Sequence, residues 1–122
     1  MKILLDTNFL LIPAQFNVDI FTEINKLVNK KYELFVLDKT IDELKSLSAD
    51  KKQKLKDRRA AKLGLQLLKA KKVKILKKLG ESVDDILANL KGYTIATQDA
   101  ALKRRIKSKK IILRAKKKLV FS

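Results

Sequence analysis

The strongest constraint on this chain is an alternation of two periods. Apolar runs of strand length, at Lys2 to Leu5, Leu34 to Leu37, Val73 to Leu76, Tyr93 to Thr97 and Ile111 to Leu113, are separated by stretches of helical spacing. Between Val18 and Val28 the residues Ile20, Phe21, Ile24, Leu27 and Val28 share one helical stripe, with Glu23, Asn25 and Lys26 off it. Ile41 to Leu47 repeats the pattern through Leu44, and a further helix is expected from the basic segment after Lys51 to about Ala70. Ser82 is placed to cap a short helix over Val83 to Leu87, with Gly92 near its end, and Asp99 to open another through Ala101, Leu102 and Ile106. Leu34 to Leu37 is continuous rather than alternating, which suits a strand buried on both faces, Val73 to Leu76 is strand-like, and the connections are short. Parallel strands joined by helical crossovers follow. At 122 residues one core is enough. The expectation is a single α/β domain over 1–122, with a four- or five-stranded parallel sheet flanked by helices and Leu119 to Phe121 as an edge strand.

Composition then limits the chemistry. There is no cysteine and no histidine, so disulfides, thiolate metal sites and the usual imidazole base are excluded. Any active centre must use oxygen, and carboxylate oxygens suit hard cations such as Mg²⁺ or Mn²⁺. Asp6 interrupts the apolar start before a leader of signal length can form, and no apolar stretch is long enough to span a bilayer, so a cytoplasmic protein with no membrane partner is expected.

The acids recur where an open parallel sheet binds its ligands, beyond the carboxyl ends of the strands. Asp6 ends the first strand, Glu43 lies early on the helix after the second, Asp84 sits at a helix start and Asp99 follows Thr97. Each has an ordinary explanation as a helix cap or as a dipole-stabilising acid. Brought together they would repel unless a divalent cation were shared among them. Asp38, also at a strand end, is read as the structural cap of the next helix.

The runs Ile3-Leu4-Leu5-Asp6-Thr7-Asn8, Asp42-Glu43-Leu44, Val83 to Leu87 and Ala96-Thr97-Gln98-Asp99, with Leu102-Lys103-Arg104-Arg105 beyond, resemble a PIN domain from Ile3 to about Leu113. The last motif is most similar to the branch involved in small-subunit ribosomal RNA processing. The resemblance implies a Rossmann-like nuclease domain in which Asp6, Glu43, Asp84 and Asp99 are the catalytic, metal-binding acids, and Asn8 and Thr97 orient them. The interval from Asp84 to Asp99 is about a helical turn shorter than the family pattern, which leaves Asp85 as the alternate to Asp84. The implied reaction is hydrolysis of an RNA phosphodiester, with bound Mg²⁺ or Mn²⁺ activating water.

Thirty Lys plus Arg against 13 Asp plus Glu leave a formal charge of +17, which calls for a polyanionic partner. The densest segment is Lys51, Lys52, Lys54, Lys56, Arg58 and Arg59, and a second cluster of Lys103, Arg104 and Arg105 follows Asp99. Both are read as RNA-binding, against the alternative of solvated helix faces. Aromatics make up only 6% and fall on core stripes, so RNA recognition should rest on backbone charge and shape rather than base stacking. Three functions remain: an endoribonuclease of ribosomal RNA processing or RNA decay, a toxin ribonuclease held by an antitoxin protein, and a degenerate RNA-binding or ribosome-assembly module. Single-stranded RNA or structured ribosomal RNA is the expected partner, with self-association into a homodimer left open.

Overall fold

The computed structural model describes residues 1–78 and 82–122. Strands β1 (Lys2–Leu5), β2 (Glu33–Leu37), β3 (Lys74–Leu76), β4 (Thr94–Ala96), β5 (Lys110–Arg114) and β6 (Lys118–Phe121) form one sheet in the order β3-β2-β1-β4-β5-β6. The first five are parallel, as expected, and β6 adds an antiparallel edge to β5. The hairpin between β5 and β6 turns through Ala115 and Lys116, both at positive φ. Among the described residues no helix is long and apolar enough to cross a membrane.

The continuous apolar run of β1 is buried on both faces because helices cover both. Ile3 and Leu5 join one core with α2 (Ile20–Leu27), α3 (Asp38–Ala49) and α4 (Leu55–Ala70). Leu4 faces the other, against Ile86 and Leu87 of α5 (Val83–Asn89) and Leu102 of α6 (Ala100–Arg105). The result is helix, sheet and helix in three layers. The chain winds from β1 through β2 to β3 on one side, then returns to β4 and β5 on the other. The switch in winding falls beside β1, and beyond the carboxyl ends of the strands at such a point open α/β sheets bind their ligands.

Three local expectations need correction. Residues between β1 and α2 are more ordered than a turn, forming a 3-10 turn at Asn8–Leu11 and helix α1 at Ile12–Phe16, with Pro13 in the first turn where its missing N–H costs nothing. Asp38 does not cap α3: it is the first helical residue, and its Oδ1 accepts instead from the Lys78 backbone N–H at 3.3 Å. Gly92 adopts φ +83 in the turn into β4, beyond the end of α5 at Asn89.

Gly64 on α4 lets that helix press against the 3-10 turn. A Cβ at Gly64 would stand 3.0 Å from the Leu10 carbonyl oxygen and 3.6 Å from Leu10 Cβ. Backbone cannot yield as a flexible side chain can. Gly64→Ala is therefore expected to destabilise the fold by about 1–3 kcal/mol, despite alanine's better helix propensity. Urea denaturation checks this, and an unchanged or raised midpoint would mean that the turn is free to shift.

Candidate metal-binding centre at the switch point

The parallel register sets the first contacts. Leu5 pairs with Ala96, so the next residues, Asp6 and Thr97, meet side by side just beyond the strand ends. Asp6 N–H donates to the Ala96 carbonyl at 2.9 Å, which holds its backbone in the ladder. Asp6 is only 5% exposed, and its carboxylate accepts from the Thr7 backbone N–H at Oδ1 (2.8 Å) and from the Thr97 hydroxyl at Oδ2 (2.7 Å). Thr97 is fully buried, and its Oγ1 also accepts from the Asp99 N–H at 3.1 Å. Asn8 joins the loops after β1 and β4: its Oδ1 accepts from Gln98 N–H at 3.0 Å, its carbonyl accepts from Gln98 Nε2 at 2.8 Å, and Thr97 Oγ1 lies 3.3 Å from Oδ1.

The other acids arrive on helices. Asp99 caps α6, its Oδ1 accepting from Ala101 and Leu102 N–H groups at 2.9 and 3.1 Å. The same carboxylate also acts on Asp6 through its charge. Glu43, on the second turn of α3, lies within the influence of the Thr7 hydroxyl, which donates to Thr40 Oγ1 at 3.3 Å. Asp84 and Asp85 share the first turn of α5 but part company. Asp85 pairs with Arg105 at 2.7 Å on the outside, while the field of Asp84 reaches both Asp6 and Glu43. Successive helical residues lie about 100° apart around the axis, so the two carboxylates leave the helix in different directions.

Electrostatics record the crowding. Burial, chiefly, pushes the Asp6 carboxyl above its ordinary value, and the negative charges of Asp84 and Asp99 push it further, against the lowering effect of its bonds to Thr97 and Thr7. Glu43 is raised too, first by desolvation and then by Asp6, with Asp84 adding a smaller share and the Thr7 hydroxyl opposing. Asp85 moves the other way, held down by its hydrogen bonds to Arg105 and Ser82.

The acids whose charges act on Asp6 offer oxygen donors alone, a chemistry that suits a hard divalent cation. Among the described residues no three acids stand close enough to hold an ion by themselves. Mg²⁺ commonly keeps several waters and binds through one or two carboxylates, and an open arrangement of this kind suits that habit. Thr7 and Glu43 also line an open groove of about 460 Å³ that follows α3 past Ser46 and Leu47 to Asp50 and Gln53.

That groove ends at the first basic segment. Lys51, Lys52 and Lys54 are exposed beside Gln53, and Lys56 and Arg59 are exposed on α4, Lys56 lining a separate hollow with Ala14 to Phe16, whereas Arg58 is half-buried and its Nε lies 3.4 Å from the Ser48 carbonyl oxygen. On α6, Arg104 is exposed, Lys103 is half-buried, and Arg105 is engaged by Asp85. The sequence reading overlooked Thr7, Thr40 and Gln98. Thr7 and Gln98 stood inside the motif runs as neighbours of acids, while Thr40 looked like any polar residue on a helix.

Comparison with known proteins agrees with this architecture. A family model described as a PIN like domain matches residues 3–116. The ribonuclease VapC4 of Methanocaldococcus jannaschii is 28% identical over 123 residues, covering 95% of this chain and 92% of the relative. The structure of the PIN domain endonuclease Utp24 superposes with a TM-score of 0.76 at 22% identity, covering 99% of this chain and 90% of the other. With a match that runs nearly end to end and the expected fold beneath it, the chain belongs to the PIN-like domain family.

Proposed function

We propose that this protein is a metal-dependent endoribonuclease that hydrolyses RNA phosphodiester bonds at the centre around Asp6. The observation that carries the reading is Asp6 itself. It is a buried carboxylate held in place by Thr97 and Thr7, raised in pKa, and facing the negative field of Asp84 and Asp99. A fold does not retain such repulsion for stability, and a cation would turn it into attraction. Family membership and the relatives' names, a ribonuclease and an endonuclease, point the same way.

Asp6, Glu43, Asp84 and Asp99 would hold Mg²⁺ or Mn²⁺. When bound, the ion supplies a water nucleophile at neutral pH and neutralises charge on the phosphate. The chain's own residues do the positioning. Thr97 fixes one oxygen of Asp6 and Thr7 the other, Asn8 ties the loop after β1 to Gln98, and the α6 cap fixes Asp99. The exposed Lys51, Lys52 and Lys54 next to the groove, Lys56 and Arg59 on α4, and Arg104 on α6 would bind RNA phosphates. Among the biological roles, ribosomal RNA processing or decay accords best with a charge of +17, since a large RNA meets more of that surface than a small target does. A toxin held by an antitoxin is the second reading, favoured by the VapC4 ribonuclease relative.

The test is cleavage of RNA by the purified protein with Mn²⁺, Mg²⁺ or EDTA. Cleavage is expected with either ion and none in EDTA; undiminished cleavage in EDTA would remove the metal from the mechanism. Metal should also stabilise the fold. At a hundredfold excess over Kd, an ion bound only by the native state adds about 2.7 kcal/mol, on the order of 10 °C in Tm for a chain of this size. A flat melting temperature across a Mn²⁺ titration would speak against the site.

A further inference from the structure

The opposite end of the sheet carries an arrangement that the acidic centre does not use. Strands β2, β3 and β5 begin there after loops, and lysines enter a few at a time from them: Lys30 and Lys31 before β2, Lys71 and Lys72 before β3, and Lys109 before β5. Three hollows of about 570, 650 and 190 Å³ adjoin along this edge. The first and second share Asn25, Tyr32 and Glu33, and the second and third share Met1 and Lys30, so the three follow one another in a row that we treat as one groove. Lys71, Lys72, Lys74, Lys31, Lys30 and Lys109 line it from one side of the sheet to the other. Glu33 is the one acid among the described lining residues, and Lys74 already pairs with it. From β3 to β5 there are four strand gaps of ~4.8 Å, so the groove is roughly 20 Å long.

We propose that this groove along the N-terminal edge of the parallel sheet is a second nucleic-acid surface, which grips the phosphate backbone of RNA away from the acidic centre. Charge complementarity selects the occupant: lysines spaced along a trough match a polyanion whose charges are also spaced along a line. The aromatic residues decide the mode of recognition. Lys71 Nζ lies 5.9 Å from the Phe21 ring centroid and Lys109 Nζ 4.2 Å from that of Phe121. The Tyr32 hydroxyl is engaged by Asn25 Oδ1 at 3.1 Å. With ammonium groups over the rings, these aromatics hold lysines at the rim rather than offering faces to bases. Binding is thus electrostatic and indifferent to sequence.

The two surfaces lie at opposite ends of β1, whose four residues at ~3.3 Å each separate them by roughly 13 Å through the protein. RNA reaching both must pass around the domain. A long or folded RNA can do so, and a short oligonucleotide occupies one surface only. The inference rests on RNA as the partner proposed above, but not on hydrolysis.

The test is a salt titration of long RNA binding in EDTA, comparing the parent protein with a Lys31→Ala/Lys72→Ala/Lys109→Ala variant and an Arg59→Ala/Arg104→Ala variant. At ~0.7 per phosphate contact, loss of three lysines should flatten the log–log salt slope by about two units. The same lysines should be protected by long RNA from amine acetylation in the unaltered protein, a measurement that does not depend on how the variant folds. If the triple variant keeps the parental slope while the arginine variant loses affinity, the groove inference is overturned and RNA binding at the acidic end stands. If the parent binds no RNA at low salt, both fail. Lysine-dependent binding to anionic phospholipid vesicles, with RNA binding unchanged in the triple variant, would assign the groove to a membrane surface instead.

Discussion

Asp6→Asn is expected to leave a folded protein that has lost Mn²⁺-dependent RNA cleavage by at least about a hundredfold, the usual scale for removing one preorganised electrostatic group. The substitution keeps shape and polarity. Asn can still accept from Thr7 N–H through Oδ1, and its amide can donate to Thr97 Oγ1 in place of the bond it loses. In EDTA the variant should melt above the parent at neutral pH. Because folding raises the Asp6 pKa, the unfolded chain ionises first as pH rises. The resulting penalty is absent below the unfolded value and complete above the folded one. The melting advantage of Asp6→Asn should therefore shrink as pH falls through the carboxylate range. Undiminished cleavage by the folded variant would move the chemistry elsewhere, and a variant that melts below the parent in EDTA at pH 7 would show that Asp6 is not strained by its neighbours.

The second large effect is expected from Thr97→Val, which keeps volume and removes one hydroxyl. That hydroxyl donates to Asp6 Oδ2 and accepts from Asp99 N–H, so its loss unsettles two acids at once. Leaving buried polar partners unmatched costs about 1–3 kcal/mol, measurable by chemical denaturation. The activity readout is more specific. The Thr97 bond lowers the Asp6 pKa, and without it the pKa should climb further. The acid limb of the cleavage profile should move to higher pH, with rates at the alkaline plateau falling less than those near the limb. Thr97→Ser should restore the limb. A profile unmoved by Thr97→Val would leave Thr97 with a packing role only.

The parts of this molecule written in local pattern were legible before the fold was known. The runs of β1 and β4 are buried as unbroken apolar strands should be, whereas β3 lies at the sheet edge with Ile75 exposed, and Ser82 and Asp99 stand where caps are needed. Asp6 and Asp99 could be paired because each follows a strand, and strand ends converge. Elsewhere the local signal ran out. Leu10, Leu11, Ile12 and Pro13 have no clear period, and the 3-10 turn and α1 are held by packing against α4 rather than by propensity. Asp84 and Asp85 are adjacent in sequence and separated only by the direction each faces, which depends on Arg105 twenty residues away. Asp38 has the appearance of a cap, yet its partner Lys78 is forty residues on. The lysine groove was the least visible of all, because its cations come from separate turns and become neighbours only when the strands align.

The central claim is that acids from four separate elements act on one shared ion. It is tested most directly by calorimetric titration of Mn²⁺ into the parent protein, Asp84→Asn and Asp85→Asn at neutral pH. Asp84→Asn should bind at least about tenfold more weakly, the scale expected when a group supporting a metal is lost. Asp85→Asn, which only frees Arg105, should bind as the parent does. Loss of binding in Asp85→Asn with full binding in Asp84→Asn would reverse the assignment of the two acids, and a parent protein that takes up no Mn²⁺ would contradict the shared site itself.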